Sequence, residues 1–266
     1  MSLLEKIFGV SKPIIGMIHL RSLPGSPGSM HFEDILEYAL KDAENLIQGE
    51  VDGLLIENFM DSPFYPRKVP PHIISCMTII AWEVKKRYNK PIGINVLRND
   101  AIAALAIASS INADFIRVNV HIGCVATDQG IIQGEAYKTL RYRLLLGSDV
   151  KIFADVASKH GKLIYEPPLP QLARDTYYRG KADALIITGP ETGSEVKIEE
   201  LEIVKRAVPE APILVGSGVN TENIHKILNY ADGAIVGTYF KINGIVWNSV
   251  DLERVREFMQ KVRKLR

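Results

Sequence analysis

The chain predicts an α/β fold, one (β/α)8 TIM barrel spanning residues 1–266 as a single domain. Three observations carry that expectation. A length of 266 residues is close to the typical size of one closed α/β barrel. β-rich runs alternate with helical periodicity eight times, an order that requires a parallel sheet and, at eight units, favours closure over an open doubly wound sheet. Two apolar runs near the C-terminus, ILVGSGVN (213–220) and GAIVGTYFK (233–241), each end in glycine where a helix should begin. Such loops leave backbone N–H groups free to bind anions, and phosphate-binding barrels use the loops after strands 7 and 8 for this. The doubly wound alternative lacks its fingerprint, because no GxGxxG follows the first strand.

Taken in order, the expected strands cover residues 13–19, 53–57, 91–96, 115–120, 150–156, 184–188, 213–216 and 233–236. Amphipathic or apolar segments over 32–48, 71–88, 101–111, 135–146, 168–179, 198–207 and 222–229 are long enough for the crossover helices, and a closing helix covers 251–266. Pro13, Pro91 and Pro212 sit at or just before strand starts, where a missing ladder N–H costs little. Asn220, Thr221, Ser249 and Asp251 offer side-chain oxygens that suit helix capping. The loop RSLPGSPGSM (21–30) is long and rich in proline and glycine, as loops that shape a barrel's catalytic face often are.

Composition narrows the function classes. An apolar fraction of 47% and a charged fraction of 24% fit a soluble globular protein and argue against disorder. A net charge of +1 gives no electrostatic reason to expect a nucleic acid polymer or an anionic membrane as partner. Cys76 and Cys124 are too few for a disulfide framework and lack metal-ligand spacing, so both are read as reduced thiols in a cytoplasmic protein. The N-terminal MSLLEKIFGVSK has charges among its apolar residues and no cleavage signature, so it is not expected to be a secretory signal. The longest apolar stretch, 101–111, is short of the roughly 20 residues a spanning helix needs.

Strand parity separates packing from chemistry, because alternate residues face the helices and the barrel interior. Ile116, Val118 and Val120 share one parity, which turns Arg117, Asn119 and His121 inward. By the same rule Asn95 and Asp155 face inward, as do His19 beside Met17, Glu57 beside Leu55 and Thr188 beside Ile186. Burying an unpaired carboxylate or guanidinium costs several kcal/mol or more, so Arg117 is expected to neutralise Asp155 or Glu57. Such a set either plugs the barrel as an ion-pair network or binds a ligand. Its convergence on the catalytic face favours the ligand site. The candidate catalytic residues are Asp155, Glu57, Arg117, Asn119, Asn95 and His19, with Asp155 or Glu57 as general acid or base.

The candidate phosphate cradle is Gly216, Ser217, Gly218, Gly237 and Thr238, with N-terminal amides of segment 238–241 facing the anion. Weaker candidates are Lys159 and His160 in DVASKH (155–160), and TGPETG (188–193), a loop able to fold over a ligand. No lysine falls at an inward strand end, which disfavours a Schiff-base aldolase of the usual barrel type. His19, Glu57 and Asp155 could hold a divalent ion, but nothing in their spacing requires one. No cofactor is expected, and oligomeric state, homo-oligomer included, is left open.

Several motifs together resemble the BtpA family, which includes the SgcQ-type proteins. They are GMIHLRSLPGSP (16–27), GLLIENFMDSPF (53–64), IGINVLRND (92–100), FIRVNVHIG (115–123), FADVASKH (153–160), ADALIITGPETG (182–193) and VGSGVN. The resemblance spans nearly the whole chain. It implies a branch of the ribulose-phosphate-binding barrels and hence a phosphorylated small ligand. It also implies two kinds of role: nucleosidase or sugar-related chemistry, as for the SgcQ branch, or help in assembling a membrane complex, as in photosystem I biogenesis. One departure stands at Ala157 and Ser158, where a second basic or histidine residue would be expected.

Overall fold

In the computed structural model, which describes residues 1–157, 159–189 and 191–266, eight parallel strands close into a barrel. Ser158 of DVASKH and Pro190 of TGPETG lie outside the described residues. The barrel strands are β1 (Ile14–His19), β2 (Gly53–Glu57), β3 (Ile92–Asn95), β4 (Phe115–Val118), β7 (Lys151–Asp155), β9 (Ala184–Ile187), β10 (Ile213–Val215) and β11 (Gly233–Val236). They pair in that order, and β11 returns to β1 through the register Ile14 to Ala234. The fold expected from the alternation of strand and helix is therefore present, with each expected strand in place and several shorter by one or two residues.

Three strands fall outside that expectation. β5 (Cys124–Thr127), β6 (Gly130–Gln133) and β8 (Gly161–Leu163) form a small antiparallel sheet in the order β6-β5-β8. It joins the loops that follow β4 and β7. The helices α2 (Phe32–Gln48), α3 (Pro71–Arg87), α4 (Ala101–Ser110), α5 (Ala136–Leu145), α7 (Ile198–Ala207) and α9 (Leu252–Arg263) occupy the expected segments. Over 168–179 the chain forms α6 (Leu169–Arg174) and then a π-helical turn, Asp175–Arg179, while 222–229 contracts to α8 (Ile224–Ile227). A further helix, α1 (Leu3–Phe8), was not expected; Ser2 and Glu5 cap it reciprocally.

Parity separates two apolar shells. Ile14, Ile18, Leu54, Ile56, Ile116, Val118 and Ile152 pack outward against the helices. Ile15, Met17, Leu55, Phe115, Phe153, Ile186, Leu214 and Ile235 fill the interior. Gly93 makes room for them: a Cβ there would lie 2.2 Å from the Phe115 ring, which stacks on Phe153 at 4.5 Å between centroids. α1 plugs the N-terminal end, with Leu4 and Phe8 in the inner cluster and Phe8 edge-on to Phe115 at 5.9 Å. The interior is thus closed from below, so polar side chains at the strand ends stand on an apolar floor.

A repeated device sets the strand starts. Asp52, Asp114, Asp183 and Asp232 each precede a barrel strand, and each accepts a hydrogen bond from an N–H of the first or second residue of the strand before it. The donors are Ile14 (2.7 Å), Ile92 (2.9 Å), Ile152 (2.8 Å) and Ile213 (2.9 Å). Each aspartate also meets one cation, in turn Arg266, Lys85, Arg143 and Lys205. These carboxylates satisfy the N–H groups that a parallel ladder leaves open at every second strand.

Candidate functional site

At the C-terminal ends of the strands lies a cavity of about 630 Å³, lined among others by His19, Glu57, Arg117 and Asn119 and by both glycine corners. The strand ends point these groups to one opening because their parity is that of the inner apolar shell. β1 presents His19, whose ring stacks on Phe59 at 4.2 Å. Its Nε2 is 3.9 Å from Glu57 Oε1. Burial first, then the positive charges of Lys241, Lys159 and Arg117, pull the His19 pKa well below its ordinary value, so its imidazole is neutral. His19 Nδ1 is buried without a hydrogen-bond partner among the described residues.

Glu57 ends β2 and accepts from the Asn95 amide of β3. Arg117 on β4 grips Asp155 on β7 with two bonds, Nε to Oδ1 at 2.9 Å and Nη2 to Oδ2 at 3.0 Å. Asn119 Nδ2 donates to the same Oδ2 at 3.0 Å, while its own Oδ1 is buried without a partner among the described residues. Burial works against the Arg117 charge, but Asp155, with Glu57 helping, holds its pKa above the usual value. Asp155 and Asn95 stand beneath the cavity rather than on its wall, and the Asp155 side chain is wholly buried. Asp155 thus holds Arg117 and Asn119 in place, whereas Glu57 faces the opening.

Two residues depart from the expected inward set. His121 follows the end of β4, and its Nε2 meets the Gly180 carbonyl at 2.8 Å, away from the cavity, because the strand ends at Val118 and parity stops governing direction there. Thr188 follows β9 and donates to the Ala157 carbonyl at 3.1 Å. The loop 21–30 does not line the cavity either. Its first residues brace neighbours instead: Leu23 N–H donates to Asp61 at 2.7 Å, and Arg21 donates to the Trp247 carbonyl and, at 3.3 Å, to Ser249.

The glycine corners meet the cavity as expected. Gly218 has φ +65°, and a Cβ there would lie 2.4 Å from the Ser194 carbonyl oxygen, so only glycine fits. At Gly237 a Cβ would come to 3.0 Å from His19 Cε1. Ser217 Oγ accepts from Gly189 N–H at 2.6 Å, which ties the cradle to TGPETG. Thr238–Phe240 is a single 3₁₀ turn, too short for the helix-dipole assistance expected of segment 238–241. Thr192, Gly193 and His160 line the cavity, and Thr192 pairs with His160 at 2.9 Å, which links the loops after β9 and β7 at the cavity wall.

Two cations enter from loops, where parity gives no signal. Arg98, beyond β3, is buried and donates to the Lys159 carbonyl. Lys159, beyond β7, reaches into the cavity with Nζ 2.9 Å from the Gly216 carbonyl oxygen. Burial, with Arg117 next, lowers its pKa to about 8. Sequence reading singled out Lys159 only weakly and passed over Arg98. Among the described residues no group of three or more His, Cys, Asp or Glu side chains is arranged to hold a metal ion.

A sequence profile of the BtpA family matches residues 10–264. An uncharacterized protein of Methanocaldococcus jannaschii is 44% identical over 256 residues, covering 96% of this chain and 97% of that one. The photosystem I biogenesis protein BtpA of Synechocystis is 42% identical over 258 residues, covering 97% and 90%. Among solved structures, thiamine phosphate pyrophosphorylase from Pyrococcus furiosus superposes with a TM-score of 0.58 at 11% identity, covering 96% of each chain. N-(5'-phosphoribosyl)anthranilate isomerase from the same organism gives 0.57 at 13% identity, covering 95% of this chain and 99% of that one. At such identities the structural likeness concerns the barrel fold alone. Among the described residues no helix is long and apolar enough to cross a membrane.

Proposed function

The chain belongs to the BtpA family, and we propose that it is an enzyme that binds a phosphorylated small molecule, a phosphosugar or nucleotide-like compound, at the C-terminal mouth of its barrel. One observation carries this reading: Arg98, Arg117 and Lys159 share a cavity with the glycine corners at Gly216, Gly218 and Gly237. Three cationic side chains facing one cavity beside backbone N–H groups at glycine corners favour an anionic ligand there. The phosphate rests on Gly216, Ser217, Gly218, Gly237 and Thr238, which fixes the reacting carbon over the barrel centre.

Glu57 is the general acid or base, because it is the strand-end carboxylate on the cavity wall. Neutral His19 is a hydrogen-bond partner for substrate at the same wall. Arg117 and Asn119, held by Asp155, stabilise negative charge that develops in the transition state. This set suits hydrolase, lyase or isomerase chemistry. The two cysteines are unpaired thiols, which suits a cytoplasmic protein.

The test is a thermal-shift screen with inorganic phosphate, sugar phosphates and nucleotides. A ligand at 100 times its dissociation constant adds about 2.7 kcal/mol. Stabilisation that vanishes in Gly237→Asp supports the reading, since the new carboxylate would occupy the cradle beside His19. Indifference to every phosphorylated compound overturns it. The second reading, a non-catalytic accessory factor for a membrane complex, draws on the name of the Synechocystis relative and on Leu144 and Leu145, which are 80% and 79% exposed. It expects that indifference.

A further inference from the structure

We propose that Lys159 is a carbonyl-reactive amine that forms an imine with an aldehyde or ketone whose phosphate sits on the glycine corners after β10 and β11. This rests on the phosphate-binding reading above and narrows it, because an imine serves lyase and isomerase chemistry at a carbonyl compound.

Geometry is the first support. The loop after β7 carries Lys159 Nζ to 2.9 Å from the carbonyl oxygen of Gly216, the first residue of the cradle. The amine therefore stands beside the anion site and faces the same cavity as Glu57 and His19. Strand ends offer no inward lysine, yet the loop delivers one to the place where barrel enzymes keep their reacting groups.

The surroundings are the second support. Burial and the neighbouring Arg117 guanidinium bring the Lys159 pKa to about 8, so a useful fraction of the amine is neutral near neutral pH. A neutral amine that donates one N–H to the Gly216 carbonyl keeps its lone pair for attack. Lys241 makes the contrast: it too is buried, with its pKa lowered by burial, but it does not line the cavity.

The step balances without a further reagent. The Nζ lone pair forms a C–N bond to the carbonyl carbon as the carbonyl π pair moves to oxygen. Both amine protons then leave with that oxygen as water while the C=N bond forms. Glu57, on the same cavity wall, is the carboxylate that carries those protons across.

The test uses pyridoxal 5'-phosphate, a phosphorylated aldehyde, on the full chain, followed by borohydride and peptide mass mapping, with inorganic phosphate as competitor. The expected result is one equivalent fixed on Lys159, lost when inorganic phosphate saturates the site, with labelling that rises through a midpoint near pH 8. Lys159→Arg keeps the cation, so it should still be stabilised by inorganic phosphate yet take up no phosphate-sensitive equivalent. Label scattered over exposed lysines with no preference for Lys159, while inorganic phosphate still stabilises the protein, overturns the imine and leaves the phosphate site standing. The same scatter with no stabilisation by inorganic phosphate or any sugar phosphate overturns both.

Discussion

Asp155 and Glu57 are carboxylates at neighbouring heights in one barrel, yet their surroundings assign them different roles. Asp155 accepts from Arg117 twice and from Asn119 once and is sealed from the cavity, so replacing it strands a buried guanidinium. Asp155→Asn should therefore cost about 3–5 kcal/mol in urea unfolding, with much of that recovered in Asp155→Asn/Arg117→Met. Glu57→Gln should cost less, because its amide can still accept from Asn95. His19 gives a pH signature. Its folded pKa lies below the unfolded value of 6.5, so its contribution is present above pH 6.5 and lost as pH falls toward the folded pKa. Stability should fall below pH 6.5 with a slope of up to about 1.4 kcal/mol per pH unit for this group. His19→Gln should flatten part of that slope in urea midpoints measured from pH 5 to 7. His121, also depressed by burial, supplies another part.

At the level of elements, the four aspartates that precede every second strand act as a built-in repeat. Asp183 accepts from Ile152 N–H at 2.8 Å and pairs with Arg143 at 2.7 Å, which links the start of β7 to α5. Asp183→Ala leaves that strand N–H unsatisfied and should cost about 1–3 kcal/mol. It should leave stabilisation by inorganic phosphate unchanged, because the cavity lies at the opposite end of the barrel. The same contrast explains what the sequence made legible. Periodicity of two and of 3.6 marked all eight barrel strands, and parity aimed His19, Glu57, Arg117, Asn119 and Asp155 correctly, because every other residue in those runs is apolar and must face the helices. The small sheet of β5, β6 and β8 carried no such signal: β8 is three residues long and its partners are supplied by a distant loop. Arg98 and Lys159 were hard to place for the same reason, since their positions depend on how loops lean on each other. The recurring VDG, ADF, ADA and ADG at 51–53, 113–115, 182–184 and 231–233 was a readable signal that parity reasoning passed over.

Across the whole molecule, closure of the barrel depends on the chain's two ends meeting. β1 pairs with β11, and the segment after β11 is tied to α2 by a pair far apart in sequence: Lys241 Nζ donates to Asp42 Oδ2 at 2.8 Å, and Val250 N–H donates to Asp42 Oδ1 at 2.7 Å. Lys241 is fully buried, and burial lowers its pKa while Asp42 opposes the shift. Asp42→Asn removes the opposing charge and leaves a buried ammonium, which should cost about 3–5 kcal/mol at pH 7. The unfolded chain then holds its proton more tightly than the folded one, so the loss should shrink as pH rises toward 10.5. Asp42→Leu/Lys241→Met, with neither charge, should recover most of the stability. Because Gly237 and Thr238 lie on the segment that this pair anchors, the phosphate response reports the same closure. It should weaken in Asp42→Asn and return in the double variant, both read as the shift in melting temperature with inorganic phosphate. A double variant as stable as the parent but without that response would mean that the ion pair shapes the cradle directly rather than through closure.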